Sequence, residues 1–298
     1  MTTVPPGLLA EVFGTGTTAC TSLIVDRRGT ALWQVRLDDG DRYALKVTTA
    51  CTDPQGHIDS ERLALAEAQL LLALERDGVV TDFHHRHGDL PDGTGSWLTL
   101  RWLPGEAAET AYAKLRGTPD NRTAARYAAA MAKAVADLHD AGWRHGDMQE
   151  VHFILAGEGE EAHLLDFAMA QPPAPSDRPS QMIYRGAYDF FNSPELAAHR
   201  LATAPSEHLE LTTSSEVWSL CATIYACWTG VYPISERDTR LSTPELRAEL
   251  ARGRCRPLSS VRPWTFPAFE EVIASGLVIE PACRPTARQL QDRFLELA

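Results

Sequence analysis

The apolar positions near the start of the chain fall into three short runs. They are rich in branched and aromatic residues, as strands are, and are separated by the turn-like segments DRRGT and DDGD. The runs are CTSLIV (20–25), ALWQVRL (31–37) and RYALKVT (42–48). The pattern predicts an antiparallel meander of three strands, preceded by an irregular extension over residues 1–19.

The spacing of the apolar residues then becomes helical. SERLALAEAQLLLALERDG (60–78) predicts a long helix with Ser60 as its candidate N-cap. A loop and two further strand candidates follow, the second within SWLTLRWLPGE (96–106). The histidine-rich HHRHGD (84–89) could suggest a metal site, but it lacks matching cysteine or carboxylate spacing, so a solvated loop is the favoured interpretation.

Beyond Gly105 the pattern is mostly helical. RTAARYAAAMAKAVADLHDAGW (122–143) is amphipathic and is closed by a glycine, and the runs VHFIL and AHLLDF, which flank GEGEE, predict a hairpin. The proline-rich QPPAPSDRPS (171–180) predicts a mobile loop. Two more helices are predicted over residues 214–230 and 285–298. A small antiparallel β unit with one helix, followed by a larger mainly α unit, makes the fold class α+β.

The composition narrows the possible functions. A length of 298 residues allows two domains or one large two-lobed unit, and 44% apolar residues can form real cores. No run approaches the roughly 18 apolar residues of a membrane span, and the N-terminus has no basic leader, so neither a membrane nor a secreted location is expected. Six scattered cysteines indicate buried thiols in a reducing cytoplasm. A net charge of −12 argues against a nucleic-acid partner and favours a basic one.

Four residues have the types and the order that phosphoryl transfer needs. That reaction requires a cation on the phosphates, a carboxylate on the magnesium and a carboxylate that orients the accepting hydroxyl. Only three of the 28 basic residues are lysines, and one of them, Lys46, lies inside a predicted strand. Glu67, in the next helix, is placed to pair with it. Asp147 follows a long helix, and Asp166 follows a strand.

The motifs around these residues resemble those of the eukaryotic-type Ser/Thr protein kinase superfamily, from about residue 20 to the end of the chain. YALKV resembles the V-A-I-K strand, HGD (145–147) with His152 resembles the H-R-D-x-x-x-x-N loop, and DFA (166–168) resembles D-F-G. SPE (193–195), EVWSL and CRPTARQL resemble the A-P-E motif, the D-V-W-S-L-G helix and the late R-P-T helix start. The resemblance, to a divergent bacterial-type homologue with an HGD loop, implies a two-lobed protein-kinase-like fold.

The resemblance also implies a role for each segment. Residues 1–19 are the N-terminal extension, 20–103 the kinase N-lobe and 104–298 the kinase C-lobe, and the implied cofactors are ATP and Mg²⁺. By this resemblance, Lys46 contacts the α- and β-phosphates and is held in place by Glu67, Asp147 orients the accepting hydroxyl, and Asp166 binds the metal. The backbone of Arg101, Trp102 and Leu103 receives adenine, and Leu100 lies at the back of the pocket. Glu195 and Arg284 form a buried ion pair.

The loop that covers the phosphates has two candidates. GTG (14–16) is a weak motif and lies too far before Lys46, because a hairpin leading into the lysine strand needs only about 20 residues. Gly29, between two predicted strands, lies nearer that distance. The covering loop is therefore assigned to residues 26–31, where Arg28 supplies a positive charge.

Several residues depart from the family's pattern. His152 replaces the asparagine that helps to hold magnesium, and imidazole is a poor ligand for that ion. Gln149 replaces the catalytic-loop lysine and removes a positive charge. Ala168 replaces the glycine of D-F-G, and Glu216 conservatively replaces an aspartate. Gly146 replaces an arginine, as is usual in small-molecule phosphotransferases.

Three functions remain open. The leading one is ATP-dependent phosphotransfer to Ser or Thr of a peptide or protein, with a narrower form in which a precursor peptide is phosphorylated and a separate partner lyase eliminates the phosphate. A basic peptide would suit the acidic chain. The second is a pseudokinase scaffold that regulates a partner enzyme, which the His152 and Gln149 replacements favour. The third is an antibiotic-type small-molecule phosphotransferase, which the HGD loop favours and the SPE segment opposes.

Overall fold

The computed structural model describes residues 3–50, 60–173, 183–234 and 242–298. These residues divide into two compact units, with the boundary between Leu103 and Pro104. The helices are α1 (Leu8–Phe13), α2 (Leu63–Arg76), α3 (Ala108–Gly117), α4 (Asn121–Asp140), α5 (Pro194–Ala202), α6 (Thr213–Thr229), α7 (Thr243–Ala251), α8 (Pro267–Gly276) and α9 (Ala287–Leu295). The strands are β1 (Ala19–Arg27), β2 (Thr30–Leu37), β3 (Arg42–Thr49), β4 (His84–Asp89), β5 (Gly95–Arg101), β6 (Glu106–Ala107), β7 (Phe153–Ala156) and β8 (Glu161–Leu164).

The first unit is built on a five-stranded antiparallel sheet in the order β1-β2-β3-β5-β4. Side chains alternate between the two faces of a strand, and in β2 every second residue is buried. The core of this unit contains Ala31, Trp33, Val35, Tyr43, Leu45, Val47 and Trp97. The predicted meander is therefore present and is extended by two further strands.

Residues 3–18 are not irregular throughout, although the sequence predicted an irregular extension. They include α1, whose Leu8 and Val12 lie one turn apart and are fully buried in the core of the sheet. Two residues at this spacing present one apolar face, which is enough to order a short helix when a sheet covers it. The described part of the first unit thus has two α-helices, α1 and α2, where one was expected.

Helix α2 begins three residues later than predicted. Its N-cap is Arg62, which makes no side-chain cap, and a 3-10 turn covers Ser60–Arg62. The amide of Ala64 donates instead to the hydroxyl of Thr48 at 3.2 Å. The start of α2 is therefore held by β3, which fixes the helix against the strand that carries Lys46.

The predicted loop at residues 84–89 is strand β4. It pairs with β5, and the Arg86 guanidinium donates to the carbonyl oxygens of Glu11 and Val12 at the end of α1. Polar residues suit β4 because it is an edge strand of the sheet. The prediction of a loop was wrong because it relied on side-chain polarity alone.

The second unit is mainly helical, as predicted. Helix α6 is buried along almost its whole length and begins with a capping box at Thr212 and Ser215. Strands β7 and β8 form the predicted hairpin and pair with β6 in a small sheet. The α+β prediction, a small antiparallel β unit followed by a larger helical one, is confirmed.

Two further expectations need correction. Gln171, at the start of the predicted mobile loop, is buried and bonded to Leu209 and Leu211, while residues 174–180 of that segment lie outside the described ranges.

The thiols are not all buried, since Cys20 and Cys283 are exposed and only Cys221 and Cys227 are fully enclosed among the cysteines described. Within the described ranges, no helix is both long and apolar enough to cross a bilayer.

Candidate active site

Lys46 and Glu67 form a buried ion pair within the first unit. Lys46 lies in the middle of β3, and Glu67 lies on the buried face of α2. The Lys46 Nζ–Glu67 Oε2 distance is 2.7 Å, and the two side chains are 10% and 1% exposed. Because apolar residues of similar volume often stabilise a core as well as such a pair does, its presence points to a functional site.

The predicted hinge follows β5. Leu100 is buried, and the amides of Arg101 and Trp102 donate to backbone carbonyl oxygens at 2.9 and 3.0 Å. Across the described ranges, the amide of Leu103 has no hydrogen-bond acceptor. Leu103 is therefore the residue of the predicted hinge whose N–H is available to an adenine ring.

The predicted covering loop at residues 26–31 is a two-residue turn. Strand β1 ends at Arg27 and β2 begins at Thr30, so Arg28 and Gly29 alone connect them. Their φ angles are 51° and 75°, and a type I′ hairpin turn requires positive φ at both positions. The other residues of the predicted loop belong to the strands.

His145 fixes the HGD segment in the second unit through both ring nitrogens. Its Nε2 lies 2.9 Å from the carbonyl oxygen of Leu165, and its Nδ1 lies 3.2 Å from the amide of Asp147. A carbonyl only accepts and an amide N–H only donates, so the ring is the neutral Nε2–H tautomer. Burial lowers the pKa of His145, so the ring stays in this neutral form.

Gly146 is required by the backbone of the loop. Its φ is 84°, and a Cβ at this position would clash with the carbonyl oxygen of Met169. Its amide donates to Glu216 Oε1 at 2.7 Å, and its carbonyl accepts from the hydroxyl of Tyr184 at 2.9 Å. The arginine that the family places here therefore does not fit this backbone.

Glu216 links the loop to α4. Its Oε2 lies 2.9 Å from His139 Nε2. Burial raises the pKa of Glu216, but the hydrogen bond and charge of His139, together with the hydrogen bond from the Gly146 amide, outweigh burial and lower the pKa. No motif singled out His139 or Tyr184, and the position of His139 in the last turn before HGD is the one sequence signal that could have identified it.

Asp147 is oriented by two neighbours. Gln149 Nε2 donates to Asp147 Oδ1 at 2.5 Å, and His152 Nδ1 donates to the Asp147 carbonyl oxygen at 2.7 Å. The Asp147 side chain is 17% exposed. Gln149 therefore supplies a neutral donor that holds the carboxylate, in the position where the family places a positive charge.

Asp147, His152 and Asp166 are the single group of three metal-ligating side chains in the part of the chain that the structure describes. Each offers one ligand atom, and these atoms all lie within 4.8 Å of one another. Asp166 has a left-handed backbone, with φ 61° and ψ 69°, a conformation that is found at functional sites. The two carboxylates suit the Mg²⁺ that the resemblance implies, whereas the imidazole nitrogen does not. The histidines of β4 form no comparable group among these residues.

The residues after Asp166 are tightly packed. Phe167 and Ala168 lie in a 3-10 turn and are 1% and 3% exposed. The Phe167 ring packs edge-on against His145, with ring centroids 5.1 Å apart. The DFA segment is therefore held against the same histidine that fixes the HGD loop.

Glu195 and Arg284 form a two-pronged ion pair. The two terminal nitrogens of Arg284 donate to the two Glu195 oxygens at 2.7 and 2.8 Å. Burial raises the pKa of Glu195, but the hydrogen bonds and charge of Arg284, together with hydrogen bonds from a backbone amide and Ser193, outweigh burial and lower the pKa. The remaining contacts of the guanidinium are with the carbonyl oxygens of Val278, Ser214 and Ile279 and with the ring of Trp218, whose centroid is 5.1 Å away.

The comparison with known families agrees with the motifs. The family model for the protein kinase domain matches residues 27–295. The chain belongs to this family. The predicted membership of the protein kinase family is confirmed.

Individual relatives match parts of this chain. Serine/threonine-protein kinase chk-2 of Caenorhabditis elegans is 26% identical over 53% of the chain and 30% of its own length. Calcium-dependent protein kinase 9 of Oryza sativa subsp. japonica is 25% identical over 59% of the chain and 28% of its own length. The chain thus spans less than a third of either relative.

A solved structure shares the fold. The crystal structure of Rad53 1-466 in complex with AMP-PNP superposes with a TM-score of 0.62 at 13% identity, covering 94% of this chain and 65% of that one. At this identity the match shows a common fold. The predicted kinase-like architecture is thereby confirmed.

Proposed function

We propose that this chain transfers the γ-phosphate of ATP to a Ser or Thr hydroxyl of a peptide or protein. The observation that carries the proposal is the arrangement around Asp147, whose carboxylate is held by Gln149 and lies with His152 and Asp166 in one group of ligand atoms. In this role Asp147 orients the hydroxyl and accepts its proton as the phosphate is transferred. A divalent cation at this group, Mg²⁺ by family resemblance, would neutralise charge on the phosphates.

The nucleotide contacts of the proposal come from the first unit. Lys46, held by Glu67 at 2.7 Å, provides the cation for the α- and β-phosphates. Leu103 provides the backbone N–H for adenine, Leu100 encloses the pocket, and the turn of Arg28 and Gly29 covers the phosphates. A buried, ion-paired lysine in a strand supports this assignment, because it is already oriented before nucleotide binds.

A basic acceptor is favoured by the surface beside the catalytic loop. Glu150 is half-buried and Glu109 is exposed, and neither makes an ion pair with another described residue. Burial, the hydroxyl of Tyr188 and the negative charge of Glu150 all raise the pKa of Tyr232, so Glu150 lies near this ring. Two carboxylates next to an aromatic ring suit an arginine or lysine side chain of the acceptor.

A narrower form of the proposal is phosphorylation of a precursor peptide in a modified-peptide pathway. In that pathway a separate lyase would eliminate the phosphate to leave a dehydro residue. The preference for a basic acceptor is compatible with a basic leader peptide. A gene for a short precursor peptide beside the gene for this chain would support this form, and its absence together with transfer to folded proteins would contradict it.

The experiment is a transfer assay with labelled ATP, in Mg²⁺ and separately in Mn²⁺, on Ser- and Thr-containing peptides with and without basic residues. Asp147→Asn should abolish transfer while nucleotide binding persists, and Asp292→Asn, which changes an exposed carboxyl of α9, should not. Transfer to basic peptides should fall in Glu150→Gln and be unchanged in Glu160→Gln, which changes an exposed residue. Nucleotide binding without transfer to any peptide would contradict the proposal.

A pseudokinase scaffold is the second candidate. It is favoured by Gln149 and His152, which replace a charged residue and a metal ligand of the family's catalytic loop. In that case Asp147→Asn would leave the biological activity untouched. The small-molecule alternative is disfavoured by the Glu195–Arg284 pair and by α6, because the resemblance ties both to protein kinases rather than to antibiotic-type phosphotransferases.

A further inference from the structure

The imidazole of His152 has one nitrogen committed and one available. Nδ1 lies 2.7 Å from the carbonyl oxygen of Asp147. Because a carbonyl only accepts, Nδ1 carries the proton and Nε2 carries a lone pair in the neutral ring. The residue is 8% exposed. Histidines that ligate metals usually donate their other nitrogen to such an acceptor, which fixes the tautomer and the orientation of the ring.

The available nitrogen faces a carboxylate at a distance that suits a shared ion. His152 Nε2 lies 3.7 Å from Asp166 Oδ2, which is beyond the 2.7–3.2 Å of an ordinary hydrogen bond. Two ligand atoms that each lie about 2.1 Å from one ion are roughly 3.0–4.2 Å apart. The gap therefore fits a cation between the two atoms better than it fits a direct bond.

The donor set selects the class of metal. Mg²⁺ prefers oxygen ligands in a near-ideal octahedron, whereas imidazole suits transition metals. Mn²⁺ accepts carboxylate, imidazole, water and phosphate oxygen in octahedral geometry, so it can bind the oxygen and the nitrogen ligands of this site together. In the Irving–Williams order the later divalent metals bind a nitrogen-containing site more tightly still.

We propose that His152 Nε2 is a metal ligand together with Asp166, and that this site selects a transition divalent cation such as Mn²⁺ over Mg²⁺. The inference rests on the proposed function, because this cation is the one that the phosphates of the bound nucleotide would share. The replacement of asparagine by histidine then changes which metal the site takes, and does not remove the metal.

The test measures metal binding without nucleotide or acceptor. The full chain is titrated with Mn²⁺ and followed by electron paramagnetic resonance, in protein with ordinary histidine and in protein labelled with ¹⁵N-histidine. Wild type should show nitrogen coupling to the bound Mn²⁺, and the coupling should change with the label. His152→Asn should lose this coupling, and His199→Asn, which changes a 54% exposed ring on α5, should keep it.

Competition with Mg²⁺ gives an independent readout. Displacing half of the bound Mn²⁺ should need at least about tenfold more Mg²⁺ in wild type than in His152→Asn, since an all-oxygen site discriminates less between these ions. Thermal unfolding of each variant checks that it is folded. Absence of nitrogen coupling, failure of wild type to bind millimolar Mn²⁺, or equal competition in the two proteins would each overturn the inference. None of these results depends on phosphate transfer, so failure of the proposed function would be seen separately.

Discussion

Replacement of Arg284 by methionine removes a guanidinium that several segments of the second unit share. The Arg284 side chain is fully buried, and Glu195 is 34% exposed. Five hydrogen bonds of 2.7–3.0 Å would be lost, two to Glu195 and three to backbone carbonyl oxygens. Methionine keeps much of the side-chain volume, so the change isolates the charge and its hydrogen bonds from a cavity effect.

The expected loss follows from the burial of the pair. Breaking a buried ion pair by removing one partner costs about 3–5 kcal/mol, and because water reaches the 34% exposed Glu195 carboxylate, the loss should lie near the lower end of that range. For a protein of this size, each kcal/mol lowers Tm by roughly 2–4 °C. A loss of about 3 kcal/mol should therefore lower the Tm of Arg284→Met by roughly 6–12 °C. The double variant with Glu195→Met should lose less than Arg284→Met alone, since no unpaired carboxylate remains.

Thermal unfolding followed by circular dichroism measures the effect. Arg284→Lys keeps the charge but cannot form the two-pronged contact, so its loss should be intermediate. The matched control is Arg252→Met, which removes a 53% exposed arginine paired with Glu249 and should cost about 0.5 kcal/mol or less. A Tm for Arg284→Met equal to that of the control would refute the importance of this pair.

Three further predictions concern the HGD loop. The pKa of Glu216 is lowered from 4.5 because His139 and the Gly146 amide together outweigh burial, so the stabilisation by Glu216 is complete above that pH and is lost as pH falls through the lower folded value. Urea unfolding of wild type and Glu216→Gln should differ at pH 7 and converge in acid. Burial lowers the pKa of His145 from 6.5, so stability should decline below pH 6.5, and ¹⁵N NMR should show this ring still neutral there. Gly146→Ala should abolish phosphate transfer and should reduce stability more than Gly40→Ala does, because Gly40 has a similar positive φ but no atom within 4 Å of the new Cβ. Equal losses of stability in the two variants would contradict the clash.

The sequence predicted the helices and strands whose apolar residues recur regularly over a long or clearly marked stretch. Helices α4 and α6 and the β7–β8 hairpin follow from spacing that needs no knowledge of tertiary partners. The motif order likewise placed Asp147 and Asp166 in the loops after α4 and β8, because short-range chain order fixes where those loops begin. The Glu195–Arg284 contact was inferred through family resemblance alone.

The remainder depends on contacts between distant segments. Helix α1 is ordered by burial of Leu8 and Val12 against the sheet, and β4 by pairing with β5, neither of which a local pattern contains. The need for glycine at position 146 comes from a carbonyl oxygen of Met169, and the bond between His139 and Glu216 joins two helices far apart in sequence. A single sequence carries no signal for such pairs.

Nucleotide binding by wild type and Lys46→Met tests the central claim most directly. Isothermal titration with ATP and a divalent cation should give binding in wild type and at least about a tenfold loss in Lys46→Met, equivalent to about 1.4 kcal/mol. Lys133→Met, which removes a 55% exposed lysine paired with Asp137, should bind as wild type does. Equal affinity in all three proteins, or no binding in wild type, would contradict the assignment of Lys46 to the phosphates and with it the proposed phosphotransfer.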